Sequence, residues 1–278
     1  MRDSSPLFSV IIPTCGDVLL LRRCLERLTL DLQGVSESEF EVIVSNDGDE
    51  VLVEELRREF LGVTFVQGPR RGPAANRNRA AQAAHGKWLV FADDDCVPDE
   101  RWLWAYKVAI NTHPSYRVLE GRIYTESRDI RLDEFAPTNE VGGFLWSCNF
   151  AIENKLFIEL GGFEEQFLYP AMEDVELRYR LKLRSEDFLF IRAAAVFHPL
   201  RMRRGREELR RREEATLTYL KLHPEERISL NSWHYIKCAL RGLLRTTLPA
   251  IISGRTEGLK FILLEHVSNV RLAWILLR

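Results

Sequence analysis

Five apolar residues, Trp88-Leu-Val-Phe-Ala92, run directly into three carboxylates, Asp93, Asp94 and Asp95. The run is too short for a helix and rich in aromatic and branched residues. It therefore predicts a buried central strand whose C-terminal mouth carries the acids. In open α/β sheets ligands bind at that mouth. Adjacent carboxylates repel one another, and a hard divalent cation such as Mg²⁺ or Mn²⁺ relieves the repulsion. Asp93 and Asp95 project to one side if the backbone stays extended. An acid-rich turn ahead of Pro98 is the plainer alternative.

The flanking sequence alternates between strand and helix signals. Phe8–Ile12 predicts a first strand, followed by Leu20, Leu21, Cys24, Leu25 and Leu28 at helical spacing. Phe40–Ser45 and Val63–Val66 predict two more strands around a helix bearing Leu52, Leu56 and Phe60, and Ala74–Ala84 predicts a helix ending at Gly86. That rhythm predicts an α/β fold with a mostly parallel sheet and helices on both faces. Beyond Pro98 the reading is a helix over Trp102–Asn111, a strand over Arg117–Tyr124, a polar loop over 129–143 and a strand over Phe144–Ile152. Helices over Asn154–Leu160 and Met172–Leu183 and strands over Phe188–Ile191 and Ala195–His198 complete it.

Charge divides the chain near Pro199. Residues 200–278 hold 16 Lys and Arg against 8 Asp and Glu, a net of +8, which leaves −10 for residues 1–199. We read 1–199 as the catalytic domain and 200–278 as a basic helical appendage. A positive surface suits an anionic partner such as a membrane surface or a phosphorylated acceptor. The arginines between 201 and 212 alternate with Glu207, Glu208, Glu213 and Glu214, the pattern of a solvated helix rather than of a nucleic-acid-binding face. Lys260, Glu265 and Arg271 interrupt the longest apolar segments, so no spanning helix is expected. The scattered Cys15, Cys24, Cys96, Cys148 and Cys238 read as reduced thiols, and the short polar start lacks the form of a signal peptide. Both features suit a cytoplasmic protein, with the C-terminal helices packing on the catalytic domain, joining subunits in a homo-oligomer, or resting on the inner face of a membrane.

Several stretches together resemble the inverting family 2 glycosyltransferases of the GT-A (Rossmann-like) fold, over roughly residues 8–198. They are Val10-Ile-Ile-Pro-Thr14, Val42-Ile-Val-Ser-Asn-Asp-Gly48, Ala75-Asn-Arg-Asn78, the Asp93–Asp95 triplet, Leu160-Gly-Gly-Phe-Glu-Glu-Gln-Phe167 and Glu173-Asp174-Val-Glu-Leu-Arg178. Where the family usually carries Asp-Asp-Gly-Ser, this chain has Asn46-Asp47-Gly48-Asp49. The resemblance implies transfer of a sugar from a UDP- or dTDP-linked donor to an acceptor hydroxyl with inversion. The acceptor would be a glycan or a lipid-linked sugar of cell-envelope or polysaccharide synthesis.

Roles follow for named residues. Pro13, Thr14 and Asp47 would form the base pocket, where a carboxylate can accept the N3–H of uracil or thymine. Arg77 would reach the diphosphate or the base, Asp93 and Asp94 the donor, and Asp95 with His198 the cation, Mn²⁺ or Mg²⁺. Asp174 would be the general base, in the first turn of a helix. Glu173 and Trp146, with Phe144 beside it, would line the sugar and acceptor pocket. Glu173 and Asp174 acting only as helix caps is the plainer alternative. Of two other functions, a non-catalytic nucleotide-sugar-binding module would keep this pocket, whereas a nucleotidyltransferase would want a Gly-rich phosphate loop that Pro13-Thr-Cys-Gly-Asp17 does not supply.

Overall fold

A computed structural model describes residues 5–126, 129–203 and 205–278. The polar start at residues 1–4, Arg204 of the arginine run and the Leu52 side chain fall outside that description. The chain forms two compact units, Met1–Thr125 with Pro137–Pro199, and Glu126–Ala136 with Leu200–Arg278.

The first unit begins β1 (Phe8–Thr14), α1 (Val18–Glu26), α2 (Leu30–Gln33), β2 (Phe40–Asn46), α3 (Glu50–Glu59), β3 (Val63–Gln67), α4 (Pro73–Ala81) and β4 (Trp88–Ala92). It continues with β5 (Val97–Pro98), α5 (Trp102–Thr112) and β6 (Val118–Tyr124). The second unit then takes β7 (Glu134–Phe135), and the first resumes with β8 (Asn149–Glu153), α6 (Asn154–Leu160), α7 (Glu173–Leu183) and β9 (Phe188–Phe197).

These strands form one sheet in the order β3-β2-β1-β4-β8-β6-β9-β5. β3, β2, β1 and β4 are mutually parallel, β8 runs antiparallel between β4 and β6, and β9 is parallel to β6. Alternation within each strand divides the core. Val10 and Ile12, Val42 and Val44, and Val90 and Ala92 face a layer that includes Leu21 and Leu25 of α1, Leu56 of α3 and Trp102 and Tyr106 of α5. Ile11, Ile43, Leu89 and Phe91 face the other layer, with Ala74 and Ala80 of α4, Phe157 of α6 and Leu177 and Leu181 of α7. A strand buried on both faces reads as a continuous apolar run, which is what β1, β2 and β4 show. The order reverses between β1 and β4, so their C-terminal ends open the crevice in which such sheets bind ligands.

Two expectations change. Phe144–Ile152 is not one strand, because only Asn149–Glu153 is extended. Gly142, Gly143 and Leu145 take φ of 85°, 94° and 52°, which turns the preceding segment into a loop. Conversely, the two expected final strands are one, β9, in which Gly121 pairs with Ile191 and the next residue, Arg122, with Ala195. The Asn149 amide nitrogen donates to the carbonyls of Arg122 and Ala194, at 2.8 and 2.9 Å, which satisfies backbone that the bulge takes out of the ladder.

In the second unit β10 (Arg201–Met202) pairs with β7. The helices are α8 (Arg206–Leu222), α9 (Ser232–Gly242), α10 (Leu248–Ile252), reached through one π-helical turn at Leu243–Thr247, and α11 (Leu259–Leu276). Leu209 packs with Phe261 and Ile262, and Tyr235 with Leu272 and Ala273. Arg211 pairs with Glu207, and Arg203 and Arg212 both reach Glu265. Among the described residues no helix is long and apolar enough to cross a membrane.

Candidate active site

At the mouth of β4 the backbone turns instead of staying extended. The Cys96 N–H donates to the Asp93 carbonyl at 3.1 Å. This turn, and not strand alternation, brings the carboxylates of Asp93 and Asp95 together with the His198 imidazole, ligand atoms all within 4.8 Å of one another. Asp95 and His198 are buried, 1% and 2% exposed. His198 Nδ1 lies 2.9 Å from the Pro199 carbonyl. A carbonyl only accepts, so Nδ1 carries a proton, and Nε2 faces Asp95 Oδ1, 3.6 Å away. Nε2 and the Asp95 carboxylate are both potential ligands of a cation between them, and a second-shell bond at Nδ1 is how metal-bound imidazoles are oriented.

Cys96 and Cys148 converge on the same imidazole, a grouping that their spacing in sequence does not reveal. Burial pushes the Cys96 thiol well above its usual range. Carboxylate oxygens are the harder ligands, which makes the Asp93, Asp95 and His198 set the better match for a hard ion.

Asp94 takes a different partner, accepting from the Thr14 hydroxyl at 2.6 Å, while the Asn76 amide donates to the Thr14 carbonyl at 3.1 Å. These bonds tie the end of β1 to the acidic turn and to α4. Pro13 is buried inside β1, opposite Ser45. At the end of β2 the Asx turn belongs to Asn46, whose side chain accepts from the Gly48 N–H at 2.9 Å. Asp47 Oδ1 accepts from the Arg70 N–H at 2.7 Å. The backbone at Gly68 passes so close that a Cβ there would collide with the Asp47 and Asn76 side chains. Partial burial raises the Asp47 carboxyl.

Arg77 is 3% exposed and bridges two acids, reaching Asp93 at 2.6 Å and Glu173 at 3.0 Å. Burial alone would lower its pKa, but the charges of Asp93 and Glu173 more than offset this and hold the guanidinium protonated. Glu173 is pushed up to about 7 by burial and the neighbouring Asp174 charge, with Arg77 pulling the other way. Burial likewise raises Asp174, against the pull of Arg77 and the N–H groups of Val175 and Ser147. Neither acid is the N-cap of α7. That position is Met172, at φ 70°, with no side-chain cap bond. Glu173 Oε2 is buried without a hydrogen-bond partner among the described residues.

The Glu173 shift has a testable sign. The folded state holds this proton more tightly than an unfolded chain, whose ordinary value is 4.5, so the associated stability is full below that pH and lost as pH rises through about 7. Glu173→Gln cannot ionise and should gain on the wild type across that window. Urea midpoints at about pH 5 and about pH 8 check it. A difference that does not change with pH would mean that Glu173 titrates as an ordinary carboxylate.

Comparison with known proteins places the chain in a family. The glycosyl transferase family 2 model matches residues 9–160, more than half of the chain. The chain belongs to that family. Glycosyltransferase AglE of Haloferax volcanii is 30% identical over 37% of this chain and 35% of its own length. Validoxylamine A glucosyltransferase of Streptomyces hygroscopicus subsp. jinggangensis is 28% identical over 63% of this chain and 51% of its own. The chain thus spans about a third to a half of these two relatives. S. aureus TarS 1–349 in complex with UDP-GlcNAc superposes with a TM-score of 0.56 at 20% identity, over 77% of this chain and 66% of that one. The same protein in complex with UDP superposes with a TM-score of 0.56 at 18% identity, over 96% and 89%. The likeness shows a shared fold, the GT-A arrangement.

One residue of this family 2 glycosyltransferase escaped the sequence reading. Glu120, 1% exposed in the middle of β6, accepts from the backbone N–H groups of Gly143 (2.9 Å), Phe144 (3.0 Å) and Leu145 (2.9 Å) and from the Asn139 amide (3.2 Å). It folds the loop carrying Phe144 and Trp146, whose rings stack at 5.7 Å with planes 11° apart. The loop then runs to Ser147, whose N–H donates to Asp174 at 3.4 Å. The available signal was a lone acid inside the apolar run of β6, since a charge so placed has to be paired or collect donors. Glu120→Ala strands those donors and should cost on the order of 3 kcal/mol. Urea unfolding measures it, and a loss under about 0.5 kcal/mol, the size of an ordinary surface change, would mean that water replaces the carboxylate.

Proposed function

We propose that this family 2 glycosyltransferase moves a sugar from a UDP- or dTDP-linked donor to an acceptor hydroxyl with inversion, aided by a divalent cation at Asp93, Asp95 and His198. The observation that carries the reading is the convergence of these three side chains at the crevice between β1 and β4, with the buried Asp174 linked to them through Arg77 and Glu173. A bound Mn²⁺ or Mg²⁺ would supply Lewis-acid stabilisation of the departing diphosphate.

The remaining steps belong to the chain itself. Asp47, held by the Arg70 N–H through one oxygen, offers the other to a pyrimidine N3–H. Thr14 and Asp94 keep the β1 and β4 ends in register beneath the donor. Arg77 holds Asp93 and Glu173 in place and sets a positive charge beside the donor. Asp174 takes the acceptor's proton as its oxygen attacks, and its raised pKa makes it a stronger base than a free carboxylate. Glu173 Oε2, without a hydrogen-bond partner among the described residues, would accept from a sugar hydroxyl. The stacked Phe144 and Trp146 offer an apolar wall to a sugar ring. Displacement in a single step from the face opposite the nucleotide inverts the anomeric centre.

The bound UDP and UDP-GlcNAc of the TarS structures support a uridine donor here. A glycan or lipid-linked acceptor of envelope or polysaccharide synthesis, met in the cytoplasm, fits the basic second unit. The test is incubation with UDP- and dTDP-sugars in the presence of Mn²⁺, following nucleotide diphosphate release and the anomeric configuration of the product. Release with inversion supports the reading. Donor binding without turnover of any sugar, even to water, favours a binding module that has kept the pocket.

A further inference from the structure

In the second unit, α9 and α11 pack on each other through Tyr235, Leu272 and Ala273, and Gly242 comes so close to the His266 ring that a Cβ there would collide with it. Beyond this buried contact both helices carry a second apolar stripe that the packing does not use. On α11, Leu263, Val267, Val270, Trp274 and Leu277 recur every three or four residues and are 47% to 72% exposed. Such spacing places them on one face, about 21 Å long. From α9 into α10, Leu240, Leu244, Leu248 and Ile251 follow the same spacing, with Trp233 seven residues ahead, at 41% to 62% exposure. Exposed apolar surface of this extent marks an interaction site.

The charge beside the stripes is mostly positive, although Arg271 is paired with Glu213 of α8. Residues 231–278 contain seven Lys and Arg against two acids, Glu257 and Glu265. Both acids are engaged with other arginines, Glu257 with Arg131 and Glu265 with Arg203 and Arg212. Lys237, Arg241 and Arg245 are exposed and stand four residues apart, alongside Leu240 and Leu244. Lys237 lies over the Trp233 ring at 5.5 Å and Arg278 over the Trp274 ring at 3.5 Å, so each exposed tryptophan has a cation on its face.

A second copy of the chain would bring two positive faces together, which electrostatics opposes. An anionic bilayer matches both properties of the surface: the apolar stripes enter the interface, the tryptophans sit at headgroup depth, and the basic side chains meet lipid phosphates. We propose that the exposed face of α9–α11 docks peripherally on an anionic lipid surface. This stands apart from the transferase reading and does not depend on it.

Sedimentation of the full chain with phosphatidylglycerol-rich and with phosphatidylcholine vesicles tests it. The chain binds the anionic vesicles more tightly, and added salt weakens the binding. Replacing Lys237, Arg241 and Arg245 together by Gln lowers the partition on the order of a hundredfold, at about fivefold for each charge near the surface. Leu244→Ser with Trp274→Ser lowers it as well. Both variants change exposed residues only and keep the wild-type melting temperature. Equal binding to the two vesicle types, or binding to neither, overturns the proposal. So does a dimer in solution that Trp274→Ser dissociates, because a second copy would then cover the face.

Discussion

Asp174→Asn lowers sugar transfer by at least about a hundredfold and leaves UDP binding near the wild-type value, because the amide keeps the shape of the carboxylate and loses its basicity. The residue opens α7 behind the left-handed Met172, is 8% exposed, and is oriented by the N–H groups of Val175 and Ser147. Burial without full compensation raises its pKa, which is how a carboxylate becomes basic enough to take a hydroxyl proton during attack. Steady-state rates for both proteins at saturating donor, with UDP affinity measured separately, make the comparison. Turnover within a few-fold of wild type would assign Asp174 to the start of the helix and place the base elsewhere.

Arg77→Met should cost about 3 to 5 kcal/mol, the usual penalty for removing one partner from a buried charge cluster. The guanidinium is the positive charge bridging Asp93 and Glu173, and it also acts on Asp174. Without it three carboxylates crowd the crevice, and a loss of this size is a large part of a typical domain's stability. The acids can relieve the crowding by taking up protons, so the variant's deficit should shrink as pH falls. Arg77→Lys keeps the charge but lacks the planar fork that reaches two acids at once, and it should recover only part of the loss. Urea unfolding of the three proteins measures the effect. A wild-type midpoint for Arg77→Met would show that the bridge carries no stability.

The layered core was legible because burial on both faces leaves a mark on every strand. Val10 and Ile12 face one helical layer and Ile11 the other. The acids after β4 were legible for the same reason, since a polar cluster that ends a buried strand stands out in the residue order. Contacts between distant residues were not. Arg77 and Glu173 are 96 positions apart, and nothing local reveals that an arginine on α4 bridges two acids. The loop before β8 was misread because Phe144 to Ile152 has strand composition. Leu145, at φ 52°, is held in its turn by donors gathered on Glu120, a residue 25 positions earlier. His198 could be proposed as a ligand from its place after β9. The proton on Nδ1, which leaves Nε2 for a metal, depends on the Pro199 carbonyl and appears only in three dimensions.

Metal-dependent nucleotide binding at Asp95 is the point on which the functional account turns. Isothermal titration of UDP into the wild-type chain with Mn²⁺, into the same chain with EDTA, and into Asp95→Asn with Mn²⁺ measures it directly. The account predicts tight binding in the first titration and a weakening of roughly tenfold or more, over 1.4 kcal/mol, in the other two. Equal affinity in all three would contradict it.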